Sequence, residues 1–578
     1  MGSILELGNQ PHQALTELSK IYGPIMSLKL GNTTAIVISS PQVAEEVLQK
    51  HDHIFSSRTI PDTVRALDHH MLSVAWMPPS AQWRTLRRVC ATKVFSSLKL
   101  DTTRALRLRK VEELLDYVKE NCKKGEPLDI GEAIFITVLN FISNSFFSMD
   151  LAHYTCDKSQ EFKDIMSQPS QCAYLVILDY EGQHSVSASD LSNSKVDYQN
   201  TDKVFHKANP TPIQLPQYGH KASIDPCPGP APGDVSLWSS LVKTSVQGLV
   251  TNSFCLGHSR PQSSLRFLIP LPRTSEDSPS NLLLERISYE SEEAGRPNVV
   301  DFFPIFRLLD PHHARARMNG YFEKLTALFD ALIEERLCIR GLENGSKACN
   351  DVLDFVLELM LEDNSQVSRP HVLHLFLDLF VAGIDTTSST IEWTMTELMR
   401  NPEKLEKVKE ELQQILTKGE QVEESHISKL PFLRAVVKET LRLHPPVPFL
   451  LPHKSDVDVE LCGYMVPKSA QIMVNVWGMG RDSTIWENPN EFMPERFLDS
   501  EIDFKGKDFE LIPFGSGRRI CPGLPLAYRA VHILLASLLC AYDWKLVDGQ
   551  KPEDMDMSEK FGLTLHKAQS LRVIPIQA

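Results

Sequence analysis

The chain has 578 residues, 42% of them hydrophobic, enough to bury a large core and long enough for more than one domain. Its 60 basic and 74 acidic residues leave a formal charge of −14, which argues against nucleic acid as a general partner. The 11 cysteines contain no Cys-x-x-Cys pair and no paired spacing, so neither a zinc site nor a disulfide framework is indicated.

Met1 is followed directly by Gly2-Ser3-Ile4-Leu5-Glu6-Leu7-Gly8; no signal peptide is evident, and no apolar run is read as long enough to cross a bilayer. A β-branched run at 34–39 predicts a short strand. Trp83 and Arg87 are four apart and share one helical face. Residues 106–122 read as an amphipathic helix, in keeping with the sequence up to about Ile165. The chain then changes character. Residues 166–291 hold 21 Ser and 12 Pro with no sustained helical period. The piece Pro226-Cys227-Pro228-Gly229-Pro230-Ala231-Pro232 excludes helix and central strand. Such a composition is typical of linkers or disorder, and a structureless span this long is uncommon inside a compact domain. Three parts follow: residues 1–165, a Ser/Pro-rich insert at 166–291, and residues 292–578. The insert is either translated non-coding sequence, such as a retained intron, or a real surface insertion, which closure entropy tolerates.

Residues 371–399 carry apolar side chains at helical spacing. In their middle, Ala382-Gly383-Ile384-Asp385-Thr386-Thr387 breaks the rules of a helix interior, where glycine costs about 1 kcal/mol relative to alanine. Either the small residues leave room for a flat ligand beside a hydroxyl and a carboxylate able to relay protons, or Asp385 and Thr386 cap a second helix after a break. In Lys438-Glu439-Thr440-Leu441-Arg442-Leu443-His444-Pro445, Glu439 and Arg442 share a helix face and Pro445 stops the helix. A second short strand is predicted at 471–476.

The most informative stretch is Pro513-Phe514-Gly515-Ser516-Gly517-Arg518-Arg519-Ile520-Cys521-Pro522-Gly523. Its glycines allow tight turns and close approach to a flat cofactor. A thiolate at Cys521 gains from the flanking Arg518 and Arg519 and from the N-terminus of the apolar helix read at 524–539.

Phe514, Gly517, Arg519, Cys521 and Gly523 together resemble the cysteine-loop signature of the cytochromes P450. The other motifs follow in that family's order. The Ala382–Thr387 run looks like its oxygen-activation site, and Glu439-x-x-Arg442 with Pro494-Glu495-Arg496-Phe497 looks like its buried structural triad. Trp83-x-x-x-Arg87 is similar to its haem-contacting helix. Residues 24–31 and 463–467 further resemble the plant subgroup typified by geraniol 8-hydroxylase. In plant members an apolar anchor and a proline-rich hinge precede sequence like that at Met1, so the anchor is expected to be missing here.

The resemblance implies a mainly α fold with small β-sheets, the cytochrome P450 fold, interrupted by the insert. It implies haem b with Cys521 as axial iron ligand. Haem contacts would come from Trp83, Arg87, His453, Phe514 and Arg519, with His453 where the family has Arg or His. Glu439, Arg442 and Arg496 would fix the loop rather than catalyse. Asp385 and Thr386 would organise protons for dioxygen activation, with electrons from NADPH-cytochrome P450 reductase. Arg84, Arg88 and Lys93 are either a docking patch for that acidic donor or a solvated helix face. The substrate would be small and apolar, a monoterpenoid alcohol by the subgroup, met by residues 61–77, Phe380, Val381, 447–451 and 561–564. The implied location is the cytosolic face of the endoplasmic reticulum membrane. Two other readings are a haem binder impaired by the insert and an oxygen-independent haem-thiolate isomerase or dehydratase.

Overall fold

The computed structural model describes residues 7–154, 298–342, 351–361, 367–417 and 419–577, all within one unit of the chain. The insert expected at 166–291 lies outside the described residues. In chain order the main elements are α1 (Pro11–Tyr22), β1 (Ile25–Leu30), β2 (Thr33–Ile38), β3 (Ser57–Arg58), α2 (Ala81–Val89), α3 (Arg104–Lys124), β4 (Leu128–Asp129) and α4 (Ile130–Phe147). After the gap come α5 (Ala314–Leu342), α6 (Val352–Leu361), α7 (Arg369–Arg400), α8 (Pro402–Ile415), α9 (Pro431–Leu443), β5 (His453–Lys454), β6 (Gln471–Val474), α10 (Leu524–Ala541), β7 (Tyr542–Leu546) and β8 (Arg572–Gln577).

Helix starts follow local chemistry. The Ser80 hydroxyl accepts from the Trp83 amide at 3.0 Å to open α2, and Asp129 does the same for α4 through the Glu132 amide at 3.0 Å. Proline occupies the first turn of α8 and α9, where a missing N–H costs nothing. The long α7 runs through Asp385 and Thr386 without interruption, so the alternative of a second helix capped there is excluded.

Helices α4, α7 and α10 form the centre. Helix α4 is apolar nearly all round and correspondingly buried on nearly all sides. Its Ile134 and Phe141 join Phe376 and Ile391 of α7 and Leu534 and Leu535 of α10 in one core, each buried side chain contributing about 1.5–3 kcal/mol. These helices correct one expectation, since all three are long and apolar enough to cross a membrane. Their most apolar windows are 83%, 67% and 56% buried inside the fold, so that apolarity is used by the core.

A five-stranded sheet flanks the helices in the order β1-β2-β6-β5-β3, with β2 and β6 parallel and the other pairs antiparallel. Both strands expected from sequence, 34–39 and 471–476, are its neighbours β2 and β6. Its far edge sets Arg58 opposite His453. A second sheet pairs β8 with β4 and with β7.

Candidate active site

The cysteine loop is held by its own backbone. The Cys521 amide donates to Phe514 O at 2.9 Å and the Gly515 amide to Ile512 O at 2.9 Å, around a single helical turn at Gly517–Arg519. Gly517 has φ +63°, and a Cβ there would stand 1.9 Å from Leu48 O, so no other residue fits without moving the chain. The loop leads directly into α10. Burial pushes the Cys521 thiol up, while the Gly523 and Leu524 amides and the Arg87 charge act the other way. This changes the expected cast. Arg518 is turned to Asp52, 3.0 Å away, and the cation beside the sulfur is Arg87, whose Nη2 donates to Ile520 O at 2.7 Å.

Beneath the loop lies the fully buried pair Glu439–Arg442. Arg442 donates to both Glu439 oxygens at 2.7 Å, Arg496 adds a bond at 3.1 Å, and the Met493 amide one at 2.7 Å. Arg442 also donates to Pro489 O and Glu491 O. Every charge in the triad is met within the protein, as the family resemblance implies.

Above the loop opens a cavity of about 330 Å³, whose walls include Cys521, Phe514, Gly515, Arg58, Arg87, His453 and Arg519. Arg519 donates to the carbonyls of Ser56 (2.8 Å), Val74 (3.3 Å) and Met77 (2.5 Å). Neither Arg87 nor Arg519 makes an ion pair with a carboxylate among the described residues. Burial lowers both pKa values, and the Arg87 charge helps to bring Arg519 down to about 10. Two half-buried guanidiniums without a counter-charge carry a desolvation cost that an anionic ligand would offset. Trp83 stands behind them, outside the cavity wall: its Nε1 donates to Val74 O at 3.0 Å and its ring lies 4.5 Å from the Arg519 guanidinium. His453 Nδ1 donates to Phe55 O at 2.7 Å, so its Nε2 can donate to an anion only when the ring is protonated. Burial, followed by the Arg58 charge, holds its pKa well below 6.5.

Asp378, Ala382, Thr386 and Thr390 of α7 recur every fourth residue and all line the cavity. Thr386 Oγ1 donates to Ala382 O at 2.7 Å. Gly383 also lines it, but its missing Cβ makes room for Ile142 of α4, whose Cδ1 would lie 2.7 Å from that Cβ. The glycine therefore serves a helix crossing as well as the cavity. Asp385 is not in the wall. One residue along a helix is about 100° around it, so Asp385 is buried on another face, its Oδ2 3.2 Å from His566 Nε2. That histidine, on a two-residue strand near the C-terminus, carried no signal in the sequence.

Of the expected substrate contacts, Val64, Val74, Val381, Val447, Leu451 and Leu563 line the cavity. Phe380 does not: it packs between Phe146, Phe147 and Phe329. Nor does Phe561, which stacks on His12 at 5.3 Å. His69, within the expected 61–77, lines the cavity too, whereas Ile142, Phe146, Met318, Phe322 and Asp378 were missed. Only Asp378 left a trace in sequence, as a charge within the apolar run Leu377-Asp378-Leu379-Phe380.

The cytochrome P450 family profile matches residues 1–179 and 273–571. The chain belongs to the cytochrome P450 family. It is 41% identical over 575 residues to a geraniol 8-hydroxylase of Catharanthus roseus, covering 100% of this chain and 92% of that one. It is 39% identical to a geraniol 8-hydroxylase of Swertia mussotii, at 99% and 91% coverage, and 40% identical to a cytochrome P450 monooxygenase of Lophophora williamsii, at 100% and 91%. A zebra fish cytochrome P450 solved with abiraterone superposes with TM-score 0.63 at 20% identity, covering 99% of both chains, which shows the shared fold. This P450 is therefore a haem enzyme of the monooxygenase class with the mainly helical P450 fold. The unneutralised Arg87 and Arg519 and the cysteine-bearing wall fit that cofactor and its two carboxylates.

Proposed function

We propose that this P450 hydroxylates a small apolar alcohol of the monoterpenoid class, using dioxygen and electrons from NADPH-cytochrome P450 reductase. The observation that carries the reading is that Cys521 and Thr386, from the cysteine loop and from α7, line one cavity. The geraniol 8-hydroxylases among its relatives support the substrate class.

In this reading Cys521 would hold the haem iron and Phe514 would pack beside it. Arg87 and Arg519 would hold the carboxylates, with His453 beside them as a donor only when its ring is protonated, and Trp83 keeps Arg519 in place. Haem, when bound, supplies reductive activation of dioxygen and transfer of one oxygen atom. Thr386 holds a proton at Oγ1 and can turn it from Ala382 O into the cavity. Asp385, held by His566, is a reserve acid behind the helix. A cavity-facing Thr386 favours this chemistry over an oxygen-independent isomerase or dehydratase. Exposed Arg84, Arg88 and Lys93 support docking of an acidic reductase. The exposed apolar run Ile305, Phe306, Leu308 and Leu309 supports attachment to the endoplasmic reticulum membrane from its cytosolic face.

Residues 1–165 and 292–578 make one haem domain in this reading, and 166–291 are an insertion. The family match passes over 180–272, in support. If transcripts from the source tissue lack this segment, it is a retained intron; abundant protein containing it would mean a genuine insertion.

The deciding experiment is reconstitution of the full chain with reductase, NADPH and geraniol. A red-shifted Soret band of the reduced carbon monoxide complex and a hydroxylated product that incorporates labelled dioxygen are expected. A normal thiolate band with no product from any monoterpenoid alcohol removes the substrate class. Loss of the band altogether, restored by removing 166–291, makes the chain as written an impaired haem binder.

A further inference from the structure

The wall of the apolar cavity carries a polar patch around Asp378 of α7. Asp378 lies two turns of α7 before Thr386, about 12 Å along the axis at the usual helical rise, and on the same cavity-lining stripe. Its carboxylate accepts from Ser73 Oγ at 2.6 Å and from the Val74 amide at 2.7 Å, and lies 3.2 Å from His69 Nε2. His69 lines the cavity as well. Its Nδ1 is 2.7 Å from His374 Nδ1, and its ring is 4.8 Å from Phe322. Burial first, then the nearby His69, brings His374 down to about 4, so it is neutral at physiological pH.

A carboxylate offers about four acceptor positions, and these three neighbours account for three. The remaining position belongs to a group in the wall of a cavity otherwise made there by Val64, Ile142, Phe146, Met318 and Leu377. Both oxygens already have a partner, and the open position lets the carboxylate take one more donor from the cavity. A hydroxyl on an apolar body is the ligand that suits both that position and the apolar wall.

We propose that Asp378, positioned by His69 and Ser73, anchors the hydroxyl of the substrate and thereby directs oxidation to the remote end of an extended alcohol. The inference rests on the monoterpenoid alcohol reading above. Three extended bonds span about 3.8 Å, so a carbon eight bonds from the hydroxyl oxygen lies about 10 Å away. That reach matches the Asp378–Thr386 spacing once a hydrogen bond is allowed for.

The test is a spectral binding titration of the full-length holoenzyme with geraniol, its methyl ether and the hydrocarbon 2,6-dimethylocta-2,6-diene. Geraniol should bind about tenfold more tightly than either, the difference expected for a hydrogen bond to a charged acceptor. In Asp378→Asn the one amide oxygen is taken by Ser73 or Val74, so the preference should fall to about twofold and oxidation should spread to other carbons. Ser73→Ala removes a support and should keep most of the preference. If the wild-type enzyme binds alcohol and ether equally and oxidises both at the same carbon, the anchor is wrong and the substrate class stands. If none of the three ligands shifts the spectrum of a holoenzyme with a normal carbon monoxide band, the substrate class falls and the anchor with it. The ligand comparison in wild type decides the matter even if Asp378→Asn does not fold.

Discussion

Two clusters of arginines lie on either side of the cysteine loop, and they are built on opposite terms. Below it, Arg442 and Arg496 share the carboxylate of Glu439 and several carbonyls. Above it, Arg87 and Arg519 make no ion pair with a carboxylate among the described residues and are left with carbonyls. Both sets are arginines drawn into the protein, and in the upper one burial holds both pKa values below the ordinary value. A buried cation whose charge is met inside the chain is scaffold; one whose charge is left open is waiting for a ligand. The difference assigns roles that residue type alone cannot.

The strongest way to break this comparison is to open the lower cluster. Glu439→Gln leaves Arg442 and Arg496 buried without a counter-charge and should cost about 3–5 kcal/mol. Thermal unfolding of the purified protein should show it, and no added haem should restore it. Arg87→Met should do the reverse. The apoprotein loses one carbonyl bond, about 1 kcal/mol, while the holoprotein loses a charged contact of about 1.5–3 kcal/mol. Haem transfer to an acceptor apoprotein should then be about tenfold faster or more. Equal losses in apo- and holoprotein would make Arg87 scaffold too. Trp83→Phe should have the smallest effect of the three. It removes the bond to Val74 O and weakens the stacking on Arg519, about 1 kcal/mol, and should lower apo and holo melting temperatures alike.

The lower cluster was legible in sequence and the upper one only half so. Glu439 and Arg442 sit three apart on one helix, and the loop that holds Cys521 closes over a few residues of its own chain. Short spacing is what a sequence reading can use. The upper cluster joins β3, α2, β5 and the cysteine loop, so Arg58 went unnoticed although it pairs opposite His453. Trp83 and Arg87 share a helix face, but only tertiary packing decides that one lines the cavity and the other stands behind it. The oxygen-side wall taught the same lesson. Neighbouring Asp385 and Thr386 face different ways, and Phe380, apolar and adjacent to true wall residues, points into the core. His566 comes from distant chain and had no local signature at all.

Asp385 and His566 form a third case between the two clusters, a buried carboxylate whose partner can lose its charge. Burial works to lower the His566 pKa, but the neighbouring Asp385 carboxylate raises it on balance above the usual 6.5. Below pH 6.5 the histidine is protonated in both folded and unfolded chain, and the ion pair contributes in full. As pH rises past 6.5 the unfolded chain sheds its proton first, so stability falls, and the contribution is gone once pH passes the raised folded value. The His566 side chain is 30% exposed, so the effect should be under about 1 kcal/mol. His566→Gln should flatten that part of the stability profile above pH 6.5 and leave the carbon monoxide spectrum unchanged. The same variant should also lower the yield of product per NADPH more at pH 6.5 than at pH 8, because only the protonated histidine differs in charge from glutamine. A profile that keeps its slope in His566→Gln would place the titrating group elsewhere, and would leave Asp385 as scaffold, closer to Glu439 than to the open cations above the loop.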